Sequence, residues 1–599
     1  MAHTETIVEI PGAVLWKKIL PHIPRNYQIN ENGVYFTREI RGDAHKEFIA
    51  GPCWVTALTR TNQGLEWGYL VYWIDQDDNL CNMAFPARRL SEPRLPVIGD
   101  LRSQGLKIVP GKERQLMTYI GSYNLPTDFR LQAAPLIGWT ETKRGDPVFV
   151  LPNRAISLSP NEEIIFQPEA YSPTVRTMHS SGNLAQWQTF VAKPCRDNPI
   201  LVFSLCAALA GPLLKFAGLD SGGFHLWGAS SKGKTTTLQA GASVWGNGSD
   251  PAVSEDSFIG RWNTTGNAIE AIAAAHNHVL LALDEIGTCD AKNFGKVIYD
   301  LFGGRGKSRL QDNSALRPER VWKILGLSSG EISIRQKIEE ETGRRVMVGH
   351  IVRFVDIEIA ASGVVAVSHG YQNEPGKFVD RFKENCGKYY GTAGPEFIDK
   401  LVNMEPDAVS LTQRIKTEID YWELNLTNQK NFESWQQRVI RRFALVAAAG
   451  SLAVKFGILN YPLTEIEKMI VCIRDAWLAD NKNKPSGAIG VDAIREFILR
   501  NPGSFPREND ERTNSKDLAG YRVGNGEKYG LYLFTMESFS KVCAGLSVKA
   551  VLDELDLQGF LHTNEKDRKS TRHSIPNLGR PRFYAIRQSI LNDNDEDGP

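Results

Sequence analysis

FHLWGASSKGKTTT, residues 224–237, decides how this chain of 599 residues is read. Its opening residues fit a strand, and from Gly228 the spacing is G-x-x-x-x-G-K-T. Such a loop folds its backbone N–H groups inward around a polyphosphate, so glycine is wanted where φ is unusual or where a side chain would block the approach. Gly228, Ala229, Ser230, Ser231, Lys232 and Gly233 form the expected cradle. Lys234 is placed for the β- and γ-phosphates, Thr235 offers a hydroxyl to Mg²⁺, and Thr236 lies in the first turn of a helix whose N-terminus favours anions. The expected ligands are ATP and Mg²⁺. A chance match or a plain Gly/Ser loop is the alternative.

A second stretch makes that alternative harder to hold. HVLLALDEIG, 278–287, follows the amphipathic run 267–275 and reads as a strand buried on both faces of a parallel sheet, where alternation is not expected. Asp284 and Glu285 then emerge at a carboxyl end, where such sheets bind ligands. Asp284 is expected in the Mg²⁺ shell, and Glu285 is expected to orient or deprotonate the attacking water. The other reading is an exposed acidic pair capping the next helix.

The length predicts three or four domains. A formal net charge of +1 places any nucleic-acid binding on local basic surfaces and not in a global field. The eight cysteines are scattered without a C-x-x-C pair, which argues against a zinc ribbon or a disulfide framework. No signal segment is recognised at the start. The most apolar stretch, 200–214, is shorter than a membrane span and contains Gly211-Pro212, so a cytoplasmic protein without a membrane partner is expected.

The expected class is α/β. Residues 1–110 read as a β-rich N-terminal domain, 111–180 as a β-rich connecting region, and 181–365 as a P-loop ATPase core with strands at 224–228, 279–284, 322–329 and 351–357. A helical lid follows over 366–480, then a winged-helix-like domain over 481–590 and an acidic, disordered tail over 591–599.

Five blocks, WNTTGNAIEAIA (262–273), LDEIG (283–287), GRGKSRLQDN (304–313), LSSGE (327–331) and GHIVRFVDI (349–357), resemble successive blocks of domain-of-unknown-function family 927. These are helicase-like ATPases of phages, plasmids and integrated elements, and the resemblance covers about 25–455. Similar proteins of staphylococcal cassette chromosomes are AAA+ replicative helicases related to the minichromosome-maintenance group. The resemblance therefore implies an AAA+ core and a hexameric DNA-unwinding motor. Two departures stand out. His350 replaces the family's usual glutamine, and a fused primase or zinc module is not recognised, which leaves priming to a separate primase or polymerase.

Within that frame Ser328 and Ser329, at a strand end, are candidates to touch the γ-phosphate, with a strand-ending turn as the alternative. Arg353, read as lying in the strand 351–357, is the candidate arginine supplied across a subunit interface; Arg345 is its rival and an ion pair with Asp356 the bland alternative. Arg305, Lys307, Arg309, Arg317 and Arg320 flank a turn-prone centre and suit a hairpin that grips single-stranded or forked DNA by its phosphates, or a solvated basic loop. Arg438 and Arg442 share a face of the lid helix, where one could fold over the triphosphate. In the C-terminal domain a helix, a basic loop and a strand follow in the order of a winged helix. Lys566, Arg568, Lys569, Arg572 and Arg580 would lie on the wing, which alternatively serves protein docking. The function expected from this is an ATP-dependent DNA helicase or translocase replicating a phage, plasmid or integrated element. A non-unwinding ATP switch that recruits replication or defence partners is the alternative.

Overall fold

The computed structural model describes residues 18–41, 43–157, 164–169, 173–263, 266–289, 294–306, 320–342, 348–371, 374–428, 432–481, 486–507, 518–524, 530–544, 546–564, 568–576 and 578–591. The chain forms two compact units, Met1–Ser333 with Ile357–Ile473, and Ile334–Asp356 with Arg474–Pro599.

A five-stranded sheet positions the candidate site. Its strands are β1 (Gly222–Trp227), β2 (Gly260–Arg261), β3 (Leu280–Asp284), β4 (Leu325–Gly330) and β5 (Phe354–Glu358), in the order β2-β3-β4-β1-β5. The pairs β2/β3, β3/β4 and β1/β4 are parallel. Helices cover such a sheet on both faces, which is why Leu280, Leu281, Ala282 and Leu283 run without a polar interruption and are all buried. Register aligns Leu226 with Ser329 and Leu283 with Ser328, so the carboxyl ends of β1, β3 and β4 come out together.

Pro199–Ala217, beneath this sheet, is long and apolar enough to cross a membrane, yet 89% of the apolar window is buried inside the protein. The sequence reading took the stretch as 200–214 with Gly211-Pro212 as an interruption. In the structure these residues form a single 3-10 turn, Gly211–Leu213, between Pro199–Ala210 and Leu214–Ala217. Proline is tolerated there because it opens a new helical turn, where its missing N–H costs little. The helices Ala408–Thr427 and Ser434–Lys455 pack against each other, and the second also packs along Pro199–Ala210.

In the N-terminal region a five-stranded sheet runs in the order Ile164–Phe166, Arg130–Ala134, Cys53–Arg60, Gly68–Ile74, Leu80–Pro86. Arg130–Ala134 pairs in parallel with Cys53–Arg60, so the boundary expected at 110 divides one sheet. A parallel partner needs a long crossover, and the helices Pro96–Ser103 and Glu113–Gly121 supply it while burying Leu101, Leu116 and Ile120 in the same core.

The second unit contains an antiparallel sheet of Gly520–Val523, Leu531–Thr535, Arg582–Arg587 and Leu561–His562, with Thr571–Arg572 also pairing with Arg582–Arg587. Helices Ser486–Arg500, Met536–Val542 and Val548–Leu557 share a core with it through Ile494, Phe539, Val551 and Ile586.

Candidate nucleotide site

Residues 228–233 connect β1 directly to the helix Lys234–Ala242. Gly228 (φ 146°) and Gly233 (φ 86°) take backbone conformations that L side chains rarely adopt, as the loop pattern requires. Lys234 is buried, and its ammonium donates to the carbonyls of Gly228 (2.8 Å) and Ala229 (2.7 Å). The cation is thus held inside the loop by acceptors that a phosphate oxygen could replace. A brace unforeseen in the sequence supports the loop from the far side of β1. Ile359 N–H donates to Trp227 O (2.8 Å) and Val364 N–H to Lys232 O (3.0 Å).

Opposite the loop, Thr235 Oγ1 lies 3.4 Å from both carboxylate oxygens of Asp284. Ser329 Oγ donates to Asp284 Oδ1 and accepts the Glu285 N–H at 3.3 Å. Insertion of β4 between β1 and β3 makes this possible, because it carries Ser329 to the midpoint between loop and acidic pair. Glu285 is left-handed (φ 56°), which for a residue with a Cβ costs roughly 1–2 kcal/mol, and its side chain accepts from Gly287 N–H at 3.3 Å. Among the described residues no cluster of three or more His, Cys, Asp or Glu is placed to hold a metal. Mg²⁺ at a nucleotide needs no such cluster, since one carboxylate and substrate phosphates suffice, and the Thr235–Asp284 pair fits that donor set.

The two serines separate. Ser328 faces a buried network on the other side of β4: Trp262 Nε1 donates to its oxygen at 2.7 Å, and His225 Nδ1 lies 3.1 Å away. His225 Nε2 is 2.9 Å from the carbonyl of Ile332, which only accepts, so the proton is on Nε2 and Ser328 donates to Nδ1. Burial, assisted by the nearby Lys234 charge, pushes His225 down to about 4. Ser328 therefore has its hydroxyl committed within the core and is not exposed to a nucleotide, whereas Ser329 touches the acidic pair. Neither His225 nor Trp262 was singled out for this role, because 225, 262, 328 and 332 share no sequence spacing.

Other candidates fall elsewhere. Arg353 ends the six-residue helix Val348–Arg353 and is not in a strand; its Nη1 donates to Gly349 O at 3.1 Å. A cation in a last helical turn is favoured by the helix dipole, which outweighs the strand-like look of the sequence. Asp356 accepts from Ile334 N–H (2.9 Å) and Arg335 N–H (3.4 Å), and burial pushes its carboxyl up to about 7. Arg442 is buried against the opposite end of β1, with Nη2 3.5 Å from Ser221 O, and Arg438 is exposed one turn earlier. Five residue steps along β1 separate Gly222 from Trp227, about 17 Å of extended chain, so Arg442 does not fold over the loop.

Gly306 N–H donates to Arg320 O (2.8 Å) and Trp322 N–H to Gly304 O (3.0 Å), an antiparallel bridge at the two ends of the basic segment, on which Arg305 is exposed. Lys307, Arg309, Arg317, Arg345 and Lys566 lie outside the described residues. In the second unit Arg568, Arg572 and Arg580 are exposed. Lys569 is instead bound to Asp556 (2.6 Å) and Asp553 (3.3 Å) of Val548–Leu557, so the helix ahead of the basic loop presents acidic residues and neutralises one of the cations expected to contact DNA.

Fold and site together define a mixed α/β protein with a loop-and-acid constellation at the carboxyl ends of a parallel sheet. Residues 27–321 match the family described as "Domain of unknown function (DUF927)", in agreement with the resemblance read from the sequence; the blocks 327–331 and 349–357 fall beyond the match. A solved structure described as "SCCmec type IV Cch - active helicase" has a TM-score of 0.61 at 17% identity, covering 98% of this chain and 100% of that one. At that identity the likeness is one of fold. No curated protein matches the sequence.

Proposed function

We propose that the chain is an ATP-dependent DNA helicase or translocase with an AAA+ core, assembling as a ring and serving replication of a phage, plasmid or integrated element. The observation that carries the reading is the convergence of Lys234, Thr235, Asp284, Glu285 and Ser329 at the carboxyl ends of β1, β3 and β4. Lys234 exchanges its carbonyl acceptors for β- and γ-phosphate oxygens. Thr235 and Asp284 hold Mg²⁺, which when bound neutralises charge on the phosphates. Glu285 takes the proton of, or orients, the attacking water, and Ser329 links its backbone to Asp284. Arg353 remains the candidate for the neighbouring protomer's nucleotide, and the hairpin above Gly304–Gly306 the candidate DNA grip. The likeness in fold to a structure described as an active helicase supports the motor. The acidic helix 548–557 favours a second reading, in which the C-terminal unit docks a protein and the ATPase acts as a switch.

Lys234→Ala is expected to lose ATP binding and hydrolysis together. Glu285→Gln is expected to keep ATP binding while turnover falls by about 10²–10⁴-fold. ATP affinity and phosphate release measured on both variants decide the matter, and a Glu285→Gln protein turning over at the wild-type rate removes the base assignment.

A further inference from the structure

The N-terminal sheet carries a surface cluster that the nucleotide site does not use. Trp67, 39% exposed, directly precedes the strand Gly68–Ile74. Arg60 ends the neighbouring strand Cys53–Arg60 and Arg130 opens the next one, Arg130–Ala134. Pairing of Thr59 with Gly68 and of Leu58 with Arg130 brings the three residues out at one end of three adjacent strands. Both guanidinium carbons lie over the indole, 5.3 Å from its centroid for Arg60 and 5.5 Å for Arg130.

Charge bookkeeping makes this cluster unusual. Among the described residues no carboxylate pairs with Arg60 or Arg130, because the nearby acids are engaged elsewhere. Glu66 pairs with Arg88 (3.6 Å), Arg88 with Glu169 (3.5 Å), and Glu169 with Arg320 (3.8 Å). The two like charges share one indole π-face. The same chain of ion pairs leads from Glu66, beside Trp67, to Arg320 at the far end of the basic segment.

We infer that Arg60, Trp67 and Arg130 form a contact site for single-stranded nucleic acid, separate from the hairpin. The inference rests on the nucleic-acid motor proposed above and adds a second grip to it. Guanidinium forks suit phosphate oxygens, and a base can stack on the indole or on a guanidinium plane. An acidic peptide would satisfy the two cations but offers nothing regular to the ring.

The test is fluorescence anisotropy of a labelled oligo-dT with the full chain over a salt series, using wild type, Arg60→Glu/Arg130→Glu, Trp67→Ala and Trp67→Phe. Circular dichroism melting checks that each variant is folded. Charge reversal is expected to raise Kd at least about tenfold and to flatten the log–log salt slope by roughly 1.4, for two single-strand phosphate contacts. Trp67→Ala is expected to weaken binding about tenfold, and Trp67→Phe to restore most of it. If wild type binds and folded variants match its Kd and slope, the site is wrong while the motor reading stands. If wild type binds no oligonucleotide at any salt, the motor reading falls and the site with it. Binding of poly-glutamate, but not oligo-dT, through these arginines overturns the inference in favour of an acidic protein partner.

Discussion

His225 precedes the phosphate loop by three residues and is spent on structure: one nitrogen binds Ile332 O and the other Ser328. Its neutral form is what the network needs, and burial holds it at about 4. His276 and His278 are likewise pushed down by burial, to about 4 and about 3, and the Nδ1 of His278 accepts from Trp139 N–H (3.2 Å). Between about pH 6.5 and pH 4 the unfolded chain therefore binds more protons at these sites than the folded one. The stability contributed by these three histidines should be complete above about 6.5 and should fall as the pH drops toward 4; the buried carboxyl of Asp356, pushed up to about 7, contributes in the opposite direction, one group against three. Urea midpoints from pH 7 to pH 4.5 are expected to decrease, with a shallower decrease for His225→Gln, which removes one of the three titrations. An unchanged slope in that variant would show that His225 titrates normally in the fold.

At the level of elements, β1 has two ends with different tasks. Trp227 feeds the phosphate loop, while Gly222 makes room for Arg442: a Cβ built at Gly222 would overlap the guanidinium. Gly222→Ala should therefore displace Arg442 and cost about 1–3 kcal/mol, as overpacking does, read from urea unfolding. Because the berth is at the far end of the strand from the loop, ATP affinity in Arg442→Ala should stay near wild type. A Kd for ATP raised tenfold or more would return Arg442 to the nucleotide. The loop, β3 and β4 were legible because their chemistry is contiguous: glycine spacing, an apolar run, then the polar residues at its end. The two-residue strand Gly260–Arg261 was not, since it is too short to show a period. Of the strand read over 351–357, residues 351–353 belong instead to the helix Val348–Arg353, because a short apolar run does not distinguish a helix turn from a strand. Arg442 was misplaced because an i, i+4 pair fixes a face of a helix but not which end of a sheet that face meets. Only Ser329 of the adjacent serines reaches the acidic pair, a distinction that follows from the alternation of side chains along β4 once the sheet order is known.

For the whole molecule, the proposed motor raises the question of which basic surface would hold DNA. Deleting everything after Asn481 would not answer it. Ile334–Asp356 belongs to the same compact unit as Arg474–Pro599, so truncation strips a segment close behind β4 of its own core, and loss of DNA binding could then follow from misfolding. Surface substitutions avoid this. Lys307→Ala/Arg309→Ala removes cations of the proposed DNA grip, and Arg568→Ala/Arg572→Ala/Arg580→Ala removes cations of the proposed wing; Lys569 is left alone because Asp553 and Asp556 already hold it. In a motor, cations on the hairpin grip the backbone during translocation. The hairpin variant should then lose stimulation of ATP hydrolysis by single-stranded DNA and lose strand displacement, with the log–log salt slope falling by roughly 0.7 per lost contact. The wing variant should still displace strands. A recruitment switch reverses the pattern: nucleic-acid binding would depend on the wing, and neither variant would change strand displacement because there would be none. Both variants belong in one assay with tailed duplexes and ATP, and normal unwinding by the hairpin variant would take the grip away from residues 307 and 309.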